Sequence, residues 1–142
     1  MRLHTVTYYS RLSGCADVDF NDILATARRN NARDNITGCL FTNGVHFVQT
    51  LEGGRSAVAT CLQRIMRDDR HDDIVIVQAG DIDMRFFPDW SMGAVTAPET
   101  RIDEIRRFAS DGAYRPEIMS SKAVVESLRS LALYCAADAL SP

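Results

Sequence analysis

The dipeptide Asn43-Gly44 constrains the fold more than any other feature of this sequence. It separates residues 36–42 from residues 45–52, two segments rich in aliphatic, aromatic and β-branched side chains. Between segments of that kind, Asn-Gly is the strongest short signal for a β-hairpin. Gly53-Gly54 then ends the second segment. We therefore predict two adjacent antiparallel strands, around which the remaining elements must assemble.

Strand-like and helix-like segments alternate on either side of this hairpin. Residues 3–10 are β-branched and aromatic, which predicts a strand with Tyr8 at its end, on the same face as Val6. An apolar stripe with helical spacing comes next. We predict a helix there, capped by Asp19 and closed by Asn30-Asn31.

The segments after the hairpin complete the pattern. They predict a helix from about Arg55, a polar turn at residues 68–73, and strands at residues 74–78 and 90–95. The order β-α-β-β-α-β-β contains the ferredoxin-like pattern. It predicts an α+β domain over residues 1–96, with two helices on one face of an antiparallel or mixed sheet.

Residues 97–142 differ in character and predict a helical C-terminal extension. Residues 101–109 indicate a short helix, Asp111-Gly112 a turn, and Ser120 the cap of a final helix. The extension is too short to be a second domain. We expect it to belong to the same globular unit and to pack on the uncovered sheet face or on a neighbouring chain.

Composition excludes several classes of function. The 142 residues carry a net charge of −3, whereas general nucleic-acid binders are normally basic. No apolar run approaches the roughly 18 residues that a membrane span needs. The N-terminus enters the first strand pattern without the apolar core of a signal peptide, which predicts a cytoplasmic protein. The four widely spaced cysteines predict reduced thiols and no metal site.

Two polar residues lie on strand faces whose other residues are apolar and are predicted to be buried. Gln49 shares a face with Val45, Phe47 and Leu51, and a buried amide without partners costs about 1–3 kcal/mol. A wet strand face, or a bond to neighbouring backbone, would also explain it. Tyr8 is equally open to a simpler interpretation, because a tyrosine at a strand end commonly keeps its hydroxyl at the rim.

Two polar clusters stand at the ends of the predicted helices. Asn30-Asn31, with Arg33 after it, offers amides that can match an imide-like edge, although Asn also simply terminates helices. The second cluster suits polyols and phosphates, although a solvated helix end would look the same. Its members are Arg64, Asp68, Arg70 and His71.

Taken together, the two polar strand residues and the two polar clusters favour one shared binding site over separate structural roles. Tyr8, Asn31 and Gln49 offer hydrogen bonds from neighbouring elements of one small sheet. Ile23 and Ile65 come from the two helices that should cover this sheet. Two aliphatic walls with a polar edge between them describe a slot for a flat heteroaromatic ring.

Over residues 1–96 the sequence resembles a BLUF domain, a flavin-binding sensor of blue light, and the extension resembles the two-helix tail of short BLUF proteins. Five ordered segments carry the resemblance. They are Tyr8-x-Ser10, the run Asn30-Asn31-Ala-Arg-Asp-Asn-Ile-Thr-Gly38, Gly44-x-x-x-x-Gln49-x-Leu-Glu-Gly53, Asp68-x-Arg70-His71, and Phe87-Pro-Asp-Trp90-Ser-Met92.

The resemblance implies a flavin, FAD or in some preparations FMN, between the two helices. It implies that Tyr8 gives an electron and a proton to the excited flavin and that Gln49, between Tyr8 and the ring, changes its hydrogen bonds in response. Ser10, Trp90 and Met92 are expected on the Gln49 side. The cofactor-binding residues it implies are Tyr8, Ile23, Asn30, Asn31, Gln49, Arg64, Ile65, Asp68, Arg70 and His71.

The implied output is a conformational change and not a reaction, since the sequence offers no hydrolytic constellation. We expect it to pass through the fifth strand and the extension to a downstream signalling protein or to an interface within a homo-oligomer. Two other functions remain open from the residues alone. They are an acylphosphatase-like hydrolase on the same fold and an interaction module without a ligand.

Overall fold

A computed structural model describes residues 2–12, 20–96, 102–109 and 113–140, and for residues 20, 96, 102–103 and 134–140 it describes the backbone alone. The position predicted to cap the first helix, Asp19, and the turn at Asp111-Gly112 lie outside the described residues. The strands are β1 (Leu3–Leu12), β2 (Thr37–Thr42), β3 (His46–Gly54), β4 (His71–Ile82) and β5 (Gly93–Thr96). The helices are α1 (Phe20–Asp34), α2 (Arg55–Met66), α3 (Ile102–Arg106) and α4 (Ser121–Leu140), with a 3₁₀ turn at Pro116–Ile118.

The five strands form one mixed sheet in the order β4-β1-β3-β2-β5. Strand β3 pairs antiparallel with both β1 and β2, and β4 pairs antiparallel with β1. Strand β5 pairs parallel with β2 at the opposite edge. This is the ferredoxin-like arrangement with one added strand, and it confirms the predicted α+β fold.

The hairpin forms where the sequence predicts it. Gly44 has a φ of 89°, a left-handed value that glycine adopts without steric cost. The Asn43 side-chain Oδ1 accepts hydrogen bonds from the backbone N–H groups of Val45, at 3.0 Å, and His46, at 2.8 Å. The last ladder pair is Thr42 with Phe47, so β3 begins one residue later than the prediction.

Helix α1 extends three residues beyond the Asn30-Asn31 pair that was predicted to close it. The Asn30-Asn31 pair does not terminate it, because the left-handed residue is Asn35, with a φ of 56°. The N–H of Ile36 bonds the carbonyl of Asn31 at 2.8 Å, as in a Schellman motif. Both asparagine side chains therefore project from helical positions.

Three strand boundaries also differ from the prediction. Strand β1 continues to Leu12, so Tyr8 lies inside it and not at its end. Strand β4 begins at His71 within the predicted polar turn, and the left-handed Asp73 accompanies irregular pairing with β1. Strand β5 begins only at Gly93, so residues 90–92 belong to the loop before it.

The sheet separates two hydrophobic cores. Helices α1 and α2 cover one face, where Ile23 and Val58 pack with strand residues such as Leu51. Helix α4 covers the other face, where Leu128 packs among residues that include Val48. The extension thus packs on the face that the first two helices leave uncovered, which is the first of the two predicted alternatives. Within the described ranges, none of the helices is both long and apolar enough to cross a membrane.

Candidate functional site

A cleft opens between α1 and α2, with the sheet as its floor. Every one of the ten residues predicted to bind a cofactor lines it: Tyr8, Ile23, Asn30, Asn31, Gln49, Arg64, Ile65, Asp68, Arg70 and His71. The structure therefore brings together residues that are up to 63 positions apart in the chain, from Tyr8 to His71.

A row of cross-strand neighbours builds the floor of the cleft. Tyr8 in β1 is paired with Gln49 in β3, and Gln49 is paired with Leu40 in β2. Directly paired residues of adjacent strands point to the same side of a sheet. The pairing register therefore places Tyr8, Gln49 and Leu40 side by side beneath the two helices.

The Tyr8 hydroxyl donates a hydrogen bond to Oε1 of Gln49. Tyr8 is 1% exposed and Gln49 is 4% exposed, so neither a rim hydroxyl nor a wet strand face describes them. Burial raises the pKa of Tyr8 well above its usual value of 10, and the nearby Cys61 and Asp68 add to the effect. The phenol is therefore held in its neutral form at any physiological pH.

The other end of the Gln49 amide contacts Met92. Its Nε2 donates to the Met92 Sδ at 3.4 Å, and Met92 is almost fully buried. In this arrangement the amide connects the phenol of Tyr8 to the loop that leads into β5. A thioether is a weak acceptor, so the contact holds the amide less firmly than an oxygen acceptor would.

Asn31 lies on α1, where it is 2% exposed and connects the helix to the same loop. Its Nδ2 donates to the backbone carbonyl of Ser91 at 2.9 Å, and its Oδ1 lies 3.8 Å from the Cys61 thiol. The thiol stays protonated, because burial raises the pKa of Cys61. Asn30, one position earlier, is half-buried in the cleft wall.

Charged side chains gather at the α2 end of the cleft. Arg70 donates hydrogen bonds to the carboxylate of Asp68. Its Nε lies 2.9 Å from Oδ1 and 3.0 Å from Oδ2, and its Nη2 lies 2.5 Å from Oδ2. This bidentate pair lowers the pKa of Asp68. Arg64 lies 3.9 Å from Asp34, which leaves its guanidinium weakly engaged beside the cleft. The cluster is thus organised by its own ion pairs.

His71 joins this cluster to β1. Its Nδ1 lies 2.9 Å from Oγ of the buried Ser10, and its ring packs against Phe47 with centroids 4.9 Å apart. Burial lowers the pKa of His71, an effect that the neighbouring Asp68 opposes. The imidazole is therefore neutral near pH 7, and Ser10 serves the site by fixing the orientation of this ring.

Of the residues expected beside Gln49, Met92 is there, whereas the Trp90 ring is not. Trp90 stacks on Phe87 with centroids 5.6 Å apart and packs with the core under α4. Met92, in contrast, belongs to the core under α1 and α2, so the two side chains lie on opposite sides of the sheet. A Cβ on Gly93 would come within 2.1 Å of the Trp90 ring, so only glycine allows this packing.

Sequence reasoning missed four residues that line the cleft: Thr26, Ala27, Leu40 and Cys61. The signals were present in the spacing. Thr26 and Ala27 follow Ile23 at three and four positions, and Cys61 precedes Ile65 by four, which puts each on the same helix face as a predicted residue. Leu40 could have been found from the hairpin register, which pairs it with Gln49.

The lining of the cleft fits a flavin. Aliphatic side chains from two helices, Ile23 and Ile65, offer walls for a flat ring. Gln49 and Asn31 offer amide groups to its polar atoms, and the arginines beside Asp68 offer cations to a phosphate. Across the described parts of the chain, no three His, Cys, Asp or Glu side chains are grouped as metal ligands.

Comparisons with known proteins point to one family. Residues 3–93 match the model of the BLUF family, described as sensors of blue-light using FAD. The photoactivated adenylate cyclase subunit beta of Euglena gracilis is 39% identical over 97 residues, which are 66% of this chain and 11% of that protein. The chain thus spans about a tenth of the length of the curated relatives it matches.

Solved structures extend the likeness to more than nine-tenths of the chain. The dark-state structure of the BLUF protein BlrB shares 38% identity and a TM-score of 0.76, covering 94% of this chain and 97% of its own. The ground-state structure of BlsA shares 25% identity and a TM-score of 0.81, covering 92% and 88%. The fold and cleft define a ferredoxin-like domain with a cleft between the two helices that cover one face of its sheet. With the family match over residues 3–93, the chain belongs to the BLUF family of blue-light sensors.

Proposed function

We propose that this chain binds a flavin in the cleft between α1 and α2 and reports blue light through a change in the hydrogen bonds of Gln49. The observation that carries the proposal is the buried Tyr8–Gln49 hydrogen bond on the floor of that cleft. A flavin bound there would supply a strong oxidant on absorbing blue light.

Tyr8 is the proposed electron and proton donor. Burial keeps its phenol neutral, so the hydroxyl cannot lose its proton before it loses an electron. It must give up both together, and an acceptor for the proton is already in place at Oε1 of Gln49. Gln49 is therefore the proposed proton relay.

Gln49 is also the proposed switch. Its amide has one firm contact, with Tyr8, and one weak contact, with the Met92 sulfur. Rotation or tautomerisation of this amide would change the donor that it presents to the cleft and the contact that it makes with Met92. A stronger hydrogen bond to the flavin would shift its absorption slightly to the red. The electron and the proton would return to Tyr8, so the only lasting change would be the arrangement of the Gln49 amide. Because no covalent bond would form, this change would reverse in the dark.

The proposed output path follows the loop into β5 and from there to α4. Val95 of β5 is buried in the same core as Leu128 of α4, on the face opposite the cleft. A displacement of Met92 would therefore reach the extension through the sheet. We propose that the extension passes the signal to a partner protein or across a homo-oligomer interface, as a sensor and not as an enzyme.

The proposed cofactor within the flavin class is FAD. The family description names FAD. The arginines beside the cleft, Arg64 and Arg70, suit phosphate oxygens, which FAD and FMN both carry. Heat release of the cofactor from the purified protein, followed by mass measurement, separates FAD from FMN. A chain that carries only FMN would contradict this part of the proposal.

The first test is the visible spectrum of the purified protein in the dark and after a blue flash. We expect a structured flavin spectrum that moves slightly to the red and relaxes in the dark. A flavin spectrum that does not move would contradict the sensing role. A colourless protein that stays colourless after flavin is offered would contradict the binding role.

Substitution of Tyr8 separates binding from photochemistry. Tyr8→Phe removes the donor oxygen and keeps the ring, so we expect flavin binding without the red shift. Tyr9→Phe is the matched control, because Tyr9 packs on the opposite face of the sheet. A normal shift in Tyr8→Phe would remove Tyr8 from the mechanism.

Substitution of Gln49 tests the relay. Gln49→Leu keeps the volume and removes both amide contacts, so we expect bound flavin and no red shift. Gln78→Leu on the exposed edge strand β4 is the control and should shift normally. If the red shift survives in Gln49→Leu, the amide is not the switch.

A further inference from the structure

The short segment of residues 90–92 is held by three hydrogen-bond donors, two from α1 and one from β2. It joins the loop after β4 to β5 and carries Met92, the residue that accepts from Gln49. Each of its three carbonyl oxygens accepts a hydrogen bond from a residue of α1 or β2. What holds this segment therefore decides whether Met92 reaches the Gln49 amide.

The three donors differ in kind. The backbone N–H of Gly38 bonds the carbonyl of Trp90 at 3.0 Å. The side-chain amide of Asn31 bonds the carbonyl of Ser91 at 2.9 Å. The guanidinium Nε of Arg28 bonds the carbonyl of Met92 at 2.9 Å. Only the last of these donors is charged, and a charge-assisted hydrogen bond is about twice as strong as a neutral one.

Arg28 differs from the other two donors in its position. It is an exposed residue on α1, and it does not line the cleft. Arg28 and Asn31 are three positions apart, so they stand on the same face of the helix. They donate hydrogen bonds to consecutive carbonyl groups of the segment. Composition and helix periodicity give no reason to single out Arg28, which looks like an ordinary surface arginine near a helix end.

We infer that Arg28 is a positioning residue of the photoreceptor, which holds the Met92 backbone so that the Met92 sulfur stays in contact with Gln49. This inference rests on the proposed function, since it assigns Arg28 to the same Gln49 switch. Arg28 acts through Met92 and makes no contact with the cleft. Its loss would release the segment at one of three points and leave the Tyr8–Gln49 bond in place.

The first experiment needs no light. Hydrogen exchange of the Gly38 amide, measured in the dark on the flavin-loaded protein, reports the bond to the Trp90 carbonyl. In Arg28→Ala we expect this amide to exchange about tenfold faster, because the segment opens more often. Arg29→Ala removes the same charge from the next position and should leave the exchange rate within about twofold of the wild type. An unchanged Gly38 rate in Arg28→Ala would overturn the inference.

The second experiment tests whether Arg28 acts through the Gln49 contact. Met92→Leu keeps the volume and removes the sulfur acceptor. We expect Arg28→Ala to bind flavin, to keep the red shift, and to change the rate of dark recovery by about threefold or more, and we expect Met92→Leu to change that rate in the same direction. The double variant should recover like Met92→Leu alone, because both changes remove one interaction. Effects that multiply in the double variant would overturn the inference.

These outcomes separate the inference from the function on which it rests. A wild-type protein without a red shift would contradict the sensing role, and Gly38 exchange would still decide whether Arg28 holds the segment. A normal red shift with equal recovery rates in wild type and Arg28→Ala would leave the sensing role intact and reject the role of Arg28.

Discussion

At the scale of single residues, burial turns two ordinary polar side chains into a matched pair. On an exposed strand, the side chains of Tyr8 and Gln49 would each form hydrogen bonds with water. Inside the fold each has few partners, and an unpaired polar atom there costs about 1–3 kcal/mol. The hydroxyl donor and the amide oxygen acceptor meet that requirement for one another. The resulting bond is specific because the alternative is an unsatisfied group.

His71 gives a pH dependence that can be predicted with its sign. Burial lowers the pKa of its folded form below the ordinary value of about 6.5. The unfolded chain therefore binds this proton more readily, and the free energy of unfolding falls as the pH drops from about 6.5 towards the folded pKa. The pKa of Asp68 is also lowered, but from an ordinary value of 3.8. The stability that its ionised carboxylate contributes is therefore lost only at a lower pH.

We therefore expect the thermal midpoint of the wild type to fall between pH 6.5 and pH 5, and His71→Gln to lose much of that fall. Thermal unfolding from pH 8 to pH 5 measures both. His4→Gln is the control, because it removes an imidazole that lies outside the cleft, in the cluster around Asp81. Equal profiles for His71→Gln and wild type would contradict the assignment.

At the scale of elements, the loop between β4 and β5 is held at its start by one buried carboxylate. Glu52, at 1% exposure, accepts hydrogen bonds from the backbone N–H groups of Phe86, at 2.7 Å, and Phe87, at 2.9 Å. Arg85 reinforces this point by donating to the Glu52 carbonyl at 3.0 Å and to Thr37 at 2.8 Å. The loop is thereby fixed to β3 before it reaches Trp90.

Glu52→Gln tests this anchor. The amide replaces one of the two accepting oxygens with a donor that faces a backbone N–H, so we expect the free energy of unfolding to fall by about 1–3 kcal/mol. Chemical denaturation measures the change. Glu126→Gln removes an exposed carboxylate that pairs with Lys122 on α4, and it should cost less than about 0.5 kcal/mol. Equal effects of the two substitutions would show that Glu52 is not an anchor.

At the scale of the whole molecule, the sheet has a site on one face and the extension on the other. The packing of α4 depends on apolar contacts, and its residue Leu128 is 1% exposed while Leu133 is 61% exposed. Tyr114 adds a polar contact, since its hydroxyl lies 2.7 Å from Oγ of Ser127, and burial raises its pKa to about 12. The described part of α4 thus packs on the sheet through its core contacts.

Truncation of these two leucines should have very different effects. We expect Leu128→Ala to lower the free energy of unfolding by about 2–5 kcal/mol, because it opens a cavity under α4. Leu133→Ala should change it by less than about 0.5 kcal/mol. Denaturant unfolding measures both. Since the cleft lies on the opposite face, flavin that remains bound to Leu128→Ala should still shift to the red, and a lost shift would place α4 in the photochemistry.

The sequence by itself determined the order of the elements, the hairpin, and the identity of residues that meet at the cleft. These properties depend on local rules, namely the turn preference of Asn43-Gly44 and the spacing of apolar residues, and on motifs such as Gly44-x-x-x-x-Gln49. Ile23 and Ile65 were found in this way. The sequence also indicated that a buried Gln49 must have a partner.

The tertiary structure alone decided the boundaries and the connections. Helix α1 passes through Asn30-Asn31 because Asn35 takes the left-handed position, and local preference for asparagine at helix ends could not choose between them. Trp90 and Met92 face opposite cores because the loop enters the sheet edge beside β2. The roles of Arg28 and Glu52 depend on carbonyls and N–H groups that are 64 and 34 residues away. Backbone partners leave no pattern in side-chain periodicity, so only the folded chain reveals them.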